Sequence, residues 1–224
     1  MLYSPILSSL RILPLMFWTL FCSFSQLIFH FLLRNSFFFF YKILFKGLVK
    51  IFGIKINMNG LPLNKNTLFI SNHISYLDIF ILGSLVDGLF VAKSEINTWP
   101  LINKICSLGR TIFVNRGDFI KVKGQVDKIS KSLNSGYSVI LFPEGTSSDG
   151  SKVLPFKTSL LGIIEGHKFK NFNLQPISIS YIKLDGIPIE TKFRPFFAWF
   201  GNMDLLSHAW KFMGLGLSEV KVKF

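Results

Sequence analysis

Polar and apolar positions along the chain fall into two regimes. Between Ile12 and Leu33 no residue carries a permanent charge, and Arg11 and Arg34 bracket the run. A helix needs about twenty apolar residues to cross a bilayer core, so this run predicts a membrane helix. Pro14 falls near its expected start, where a helix tolerates proline best. Thr19, Ser23, Ser25, Gln26 and His30 interrupt the run. A second apolar block, Phe37 to Phe52, carries Lys42, Lys46 and Lys50. On a helix those lysines make one slowly drifting stripe, with Phe38, Phe39, Leu44, Phe45 and Leu48 on the opposite faces. That pattern predicts a helix lying in the membrane interface, its lysines toward the headgroups. The sequence leaves open whether the first run crosses the bilayer or forms a half-buried hairpin with the second. A secretory leader is the competing reading of the first run. A weakly basic start, a long apolar core and the lack of a clean small-residue cleavage site speak against it.

After Gly53 short apolar runs alternate with polar, helix-like stretches. The runs Ile54–Met58, Thr67–Ile70, Leu89–Val91, Thr111–Val114, Val139–Phe142 and Leu174–Ser180 predict strands. Asp78–Leu85, Trp99–Leu108, Phe119–Asn134 and Thr158–Gly166 predict helices between them. Such alternation argues for an α/β fold, a mainly parallel sheet flanked by helices. The expected organisation is a membrane-anchoring helical segment over residues 1–53 and an α/β domain over residues 54–224.

Composition sharpens this picture. Half the residues are hydrophobic and the formal net charge is +13. An apolar chain with surplus Lys and Arg suits an anionic bilayer surface, a phosphate-bearing substrate, or both. Nucleic acid is not an expected partner, because the basic residues are scattered and no nucleic-acid-binding signature occurs. Cys22 and Cys106 lie in different segments without CxxC spacing. Neither a disulfide nor a zinc site is expected, which fits a reducing compartment.

The sharpest chemical signal is Asn72-His73-Ile74-Ser75-Tyr76-Leu77-Asp78, directly after the run Leu68-Phe69-Ile70. It places His73 where a strand ends and a helix begins, the usual site of chemistry in α/β folds. Residues five apart on a continuous helix diverge by about 140°. His73 and Asp78 can therefore meet only if His73 lies in the loop. A Ser75 N-cap with Asp78 at N3 would arrange this. Asp78 would then hold one ring nitrogen of His73 and leave the other free to take a proton from a hydroxyl. Two further motifs end strands on the expected same edge: Phe113-Val114-Asn115-Arg116-Gly117 and Phe142-Pro143-Glu144-Gly145-Thr146. Arg116 offers a planar fork suited to phosphate. Glu144 could hold a hydroxyl or orient Arg116, and Gly117 and Gly145 allow close backbone approach. No Ser or Cys sits in a nucleophile elbow, so no acyl-enzyme is required. The oxyanion of a tetrahedral intermediate would need backbone donors near the His73 or Glu144 turns.

These blocks, followed by Leu174-Gln175-Pro176-Ile177, resemble in order and rough spacing the four blocks of the glycerophospholipid acyltransferases, 1-acylglycerol-3-phosphate acyltransferases above all. The resemblance covers roughly Ile54 to Tyr181. It implies a long-chain acyl-CoA or acyl-carrier-protein donor, a lysophosphatidic-acid-like acceptor, phosphatidic acid as product, and no further cofactor or metal. It implies that His73 and Asp78 form the catalytic dyad. Arg116, Gly117, Glu144, Gly145 and Thr146 then belong to acceptor binding, as do Lys93 and Lys157, which match basic positions of such enzymes. It also implies a location on a membrane, at the cytoplasmic face of a bacterial inner membrane. Gln175 departs from the family's small apolar residue, and little effect is expected. The tail Trp199–Trp210 is similar to a segment of members that acylate lyso-ornithine lipids, which makes that lipid an alternative acceptor, beside glycerol 3-phosphate. Asp204 and His208, four apart, could share a helix face as a structural contact. His30 and His167 have no company that suggests a role. A non-catalytic basic membrane-surface protein is the alternative of a different class.

Overall fold

The computed structural model describes residues 2–32, 37–63, 65–95, 103, 106, 109–114, 119–158 and 172–224. The expected helices over Trp99–Leu108 and Thr158–Gly166 fall almost wholly outside these, as do Arg116, Gly117 and His167. The described strands are β1 (Ile54–Asn59), β2 (Thr67–Ser71), β3 (Gly88–Lys93), β4 (Ile112–Val114), β5 (Ser138–Leu141), β6 (Asn173–Leu184), β7 (Ile187–Pro188) and β8 (Ser218–Lys223). They form one sheet in the order β1-β8-β6-β2-β5-β3-β4, with β7 on the margin of β6. From β6 to β4 all neighbours run parallel, as do β1 and β8. Only β7 and β8 run antiparallel to β6. The sheet is therefore mainly parallel, as the alternation predicted.

Side-chain pattern explains which strands lie inside. Those of β2 and β5, Thr-Leu-Phe-Ile-Ser and Ser-Val-Ile-Leu, are buried almost throughout, as strands covered on both faces must be. Leu68, Val139 and Leu141 face one layer, with Ile129 and Leu133 of helix α4 (Phe119–Asn134). Phe69 and Ile140 face the other, with α3 (Leu77–Leu85) and α2 (Phe37–Ile51). Pro176 is tolerated within β6 because residues 173–177 pair only with β2, while pairing with β8 begins at Ser178.

The two N-terminal helices differ from expectation. The apolar face of α2 does not lie open to an interface: Leu44, Phe45, Leu48 and Val49, with Phe52 just after, are buried in the core shared with α3 and the sheet. The Phe45 ring lies against Gly83 of α3, where any Cβ would overlap it. Lys42 pairs with Asp87 at 3.1 Å, while Lys46 and Lys50 stay exposed. Packing thus runs continuously across the boundary expected at residue 53.

Helix α1 (Pro5–Leu32) starts seven residues before the charge-free run does. Ser4 caps it by accepting from Leu7 N at 3.3 Å, and Pro5 fills the first helical position. Pro14 is consequently interior rather than near the start. One face of α1 docks on the domain. Trp18 Nε1 donates to Leu44 O (3.1 Å) and Ser8 Oγ to Trp210 O (2.9 Å). Arg11 Nη1 donates to Met213 O (2.8 Å) and Leu215 O (2.9 Å), at the end of helix α5 (Leu205–Met213), where a cation complements the helix dipole. The other face leaves Ile6, Leu10, Leu13, Phe17, Leu20 and Phe24 mostly exposed. By length and composition, Pro5–Ile28 could cross a membrane.

Because Leu13 and Phe17 are mostly exposed, Leu13→Glu with Phe17→Glu should leave thermal unfolding unchanged yet weaken sedimentation with anionic vesicles at least about tenfold. Wild-type vesicle binding by the double variant would place the membrane contact elsewhere. A chain starting at residue 54 should fail to fold, because it lacks the buried part of α2.

Candidate active site

Four chain segments converge at the carboxyl edge of the sheet. Segment 72–76 leaves β2, segment 142–157 leaves β5, Tyr181 lies on β6, and residues 194–208 pass over them. Asn72 extends the pairing of β2 beyond its last strand residue. Its side-chain amide donates to Ile179 O (3.0 Å) and accepts from Ile179 N (2.8 Å), as another strand residue would. The chain then turns inward at His73.

Asp78 organises this turn. Its carboxylate is fully buried. Oδ2 lies 3.0 Å from His73 Nδ1 and accepts from Ile74 N (2.7 Å) and Ser75 N (2.9 Å). Oδ1 accepts from Tyr181 OH at 3.0 Å. With two amides and a phenol already donating to its two oxygens, the carboxylate acts as an acceptor toward His73 as well. His73 Nδ1 must then turn an N–H toward it, which leaves Nε2 as the outward ring nitrogen. The ring stacks on Phe142 with centroids 4.1 Å apart, and 17% of the side chain stays exposed. The site therefore presents one imidazole nitrogen at a lip, backed by a buried carboxylate.

The expected Ser75 cap is not what brings the pair together. The helix cap is Tyr76, without a side-chain cap bond, and Ser75 Oγ has no partner among the described residues. Asp78 instead reaches back to the two amides ahead of it, which is only the acidic half of a capping box.

Glu144 also differs from expectation. It is 1% exposed, with Oε1 accepting from His73 N (2.7 Å) and Oε2 from Leu154 N (2.6 Å). Both oxygens hold backbone, so the residue clamps the His73 loop to the strap that follows β5. A turn sets it there. Gly145 N donates to Phe142 O (3.1 Å), Pro143 fits the second turn position, and Gly145 takes φ 76°. The amides of His73, Ile74, Ser75 and Gly145 are thus all engaged within the fold. These four are therefore not free oxyanion donors.

The remaining expected residues divide. Lys93 ends β3 at the same sheet edge. Thr146 and Lys157 are exposed beside the Glu144 turn, and Lys157 N donates to Pro143 O at 2.8 Å. Gln175 fastens the loop that leads into β2, accepting from Leu63 N (2.8 Å) and donating to Leu61 O (3.0 Å). Asp204 N-caps α5 by accepting from Ser207 N at 2.8 Å. His208 instead turns inward, with Nδ1 3.3 Å from Tyr76 OH, and burial lowers its pKa. Trp199 N donates to Ile74 O (3.0 Å), Ser148 N to His73 O (2.9 Å), and Ser147 Oγ to Trp199 O. The tail thereby braces both active-site loops. Tyr181 escaped sequence reasoning, because nothing local marks a tyrosine 103 residues from its partner.

This combination of parallel sheet, edge imidazole and buried carboxylate matches what the four motifs implied, and the chain belongs to the acyltransferase family. That family's model, described as Acyltransferase, matches residues 54–180. The chain is 35% identical over 184 residues to the lyso-ornithine lipid O-acyltransferase of Brucella abortus (strain 2308), covering 78% of this chain and 67% of that protein. It is 36% identical over 177 residues to the Rhizobium meliloti (strain 1021) enzyme of the same name, covering 77% and 61%. The chain thus spans about two thirds of the length of these relatives. Similarity to the 1-acyl-sn-glycerol-3-phosphate acyltransferase of Neisseria meningitidis serogroup B is 36% over 90 residues, covering 40% and 35%. The crystal structure of the 1-acyl-sn-glycerophosphate acyltransferase PlsC from Thermotoga maritima shares the fold, with a TM-score of 0.61 at 22% identity over 97% of this chain and 83% of that one.

A backbone clamp and a substrate ligand respond differently to substitution. Glu144→Gln should lower stability by about 1–3 kcal/mol in chemical denaturation, since one buried N–H would face an amide NH₂. It should reduce kcat with the acceptor KM unchanged. A rise in acceptor KM alone, at wild-type stability, would return Glu144 to direct substrate contact.

Proposed function

We propose that the chain transfers a long-chain acyl group from a thioester, acyl-CoA or acyl-carrier protein, to the hydroxyl of a lysolipid. One observation carries this reading: His73, held at Nδ1 by a buried carboxylate, offers Nε2 at the sheet edge. In this reaction Nε2 takes the acceptor's hydroxyl proton as the oxygen bonds to the thioester carbonyl. The tetrahedral adduct then collapses, the C–S bond breaks, and the thiolate leaves with the proton returned by His73. Neither an enzyme nucleophile nor a metal is needed for this sequence. The exposed face of α1 keeps the site at a bilayer surface, where a lysolipid and its product reside, on the cytoplasmic side where both thioester donors occur.

Lyso-ornithine lipid is the favoured acceptor. The relatives with that name match 184 and 177 residues, a span longer than the family core of residues 54–180. 1-Acylglycerol-3-phosphate is the second reading. Lys93 at the sheet edge and the sequence position of Arg116 after β4 favour it, since both supply positive charge suited to a phosphate.

The test measures thiol release by the purified protein with palmitoyl-CoA and each lysolipid in turn. Lyso-ornithine lipid should give the highest kcat/KM, and His73→Ala should lower turnover about 10²- to 10⁴-fold. Preference for 1-acylglycerol-3-phosphate would select the second reading. Wild-type turnover by His73→Ala would remove the base assignment, and no thiol release with any acceptor would favour a non-catalytic membrane-surface protein.

A further inference from the structure

Asp78 sees His73 through one oxygen only, and that oxygen is shared with two backbone amides. Among the described residues, its other oxygen meets a single side chain, Tyr181. The phenol reaches it by ordinary strand alternation: Ile177, Ile179 and Tyr181 lie on one face of β6, the face packed with α3. The register between β6 and β8 shifts only beyond it, between Tyr181 and Lys183. The ring is held from outside by Phe197, centroids 5.8 Å apart, and Phe197 is itself 2% exposed. Burial pushes the phenol well above its usual pKa, and the charge of Asp78 adds to this. The hydroxyl therefore keeps its proton across the working pH range and always donates.

We propose that Tyr181 is a positioning residue for acyl transfer: its hydroxyl sets how much of the Asp78 charge reaches the His73 ring. The proposal rests on His73 acting as the base. A hydrogen bond to a carboxylate draws charge toward the donor, and in a dry site that redistribution is felt by the other oxygen. Without the phenol, more of the charge faces the imidazole, and the protonated ring is favoured. The carboxylate also loses the contact that fixes its rotation about Cβ–Cγ, so the ring is held less firmly in line with the acceptor. The ionisable groups packed around the pair are Glu144 against the His73 amide, Tyr181 itself, and Tyr76, whose charge state acts on Tyr181 and whose own pKa burial raises. Tyr76 in turn meets His208. None of these supplies a second donor to Asp78 Oδ1 among the described residues.

The experiment compares the pH dependence of kcat/KM for the full chain, for Tyr181→Phe, and for the chain with 3-fluorotyrosine in place of Tyr181. Removing the hydroxyl should move the acid limb upward by about half a pH unit and lower kcat about 5- to 20-fold, with both KM values kept. Fluorination makes the phenol a stronger donor without changing its reach, so the limb should move the opposite way. If Tyr181→Phe does not fold, the fluorinated chain alone decides. An acid limb that stays at the wild-type position in the folded proteins overturns the proposal, whatever happens to kcat or to stability. His73→Ala, run in parallel, separates this from failure of the base assignment: activity surviving there removes the base, while an inert His73→Ala with an unmoved limb removes only Tyr181.

Discussion

A fully buried carboxylate with four donors is the constraint from which the rest of the site follows. Removing Asp78 from water is unfavourable unless hydrogen bonds replace the lost hydration. The chain meets that demand with two amides from the turn just before α3, one phenol from β6 and one imidazole. Each donor is thereby fixed in place. The turn cannot straighten without stranding the charge, β6 must stay beside β2, and the imidazole must present Nδ1–H inward. The outward nitrogen becomes a proton acceptor as a consequence of how the buried charge is satisfied.

Glu144 repeats the same device one strand over. Its two oxygens hold the amides of His73 and Leu154 and tie the loop after β2 to the strap after β5. The loop bearing His73 is thus gripped from two sides, by carboxylates that do not themselves face the solvent. This rigidity has a chemical consequence. The backbone amides nearest the imidazole are committed to carboxylates and cannot serve a developing oxyanion. A third layer of support comes from the tail, where Trp199, His208 and Ser147 connect both loops to α5, onto which α1 docks. Helix α1 and the site are parts of one packed body, so its exposed apolar face and the imidazole keep a fixed relation.

Much of this is legible in the sequence alone. Strand-helix alternation locates six strands and the sheet's parallel character, because strands buried on both faces read as short uninterrupted apolar runs. The His73–Asp78 meeting is legible because five-residue spacing forbids it on a helix and permits it from a loop. What stays hidden depends on distant partners. β8 alternates Val220 and Val222 with Lys221 and Lys223, a usable period-two signal that its charge and terminal position obscure. The apolar face of α2 looks like a membrane contact because sequence reports that a face must be covered, not by what; Gly83 on α3, which admits Phe45, decides it. Glu144 looks like a substrate ligand because carboxylates near active sites often are. Only its two amide partners, ten and 71 residues away, show that it holds backbone.

In the proposed mechanism, Asp78 holds His73 with Nδ1–H inward, so that Nε2 is the nitrogen that accepts a proton. A long-range ¹H–¹⁵N correlation spectrum of the ¹⁵N-labelled protein, with His73→Gln to assign the signals, reads this directly. The expected result is a protonated Nδ1 with a downfield, slowly exchanging proton and an Nε2 shift typical of a bare lone pair. A His73 that shows protonated Nε2, or both tautomers exchanging freely, would contradict it.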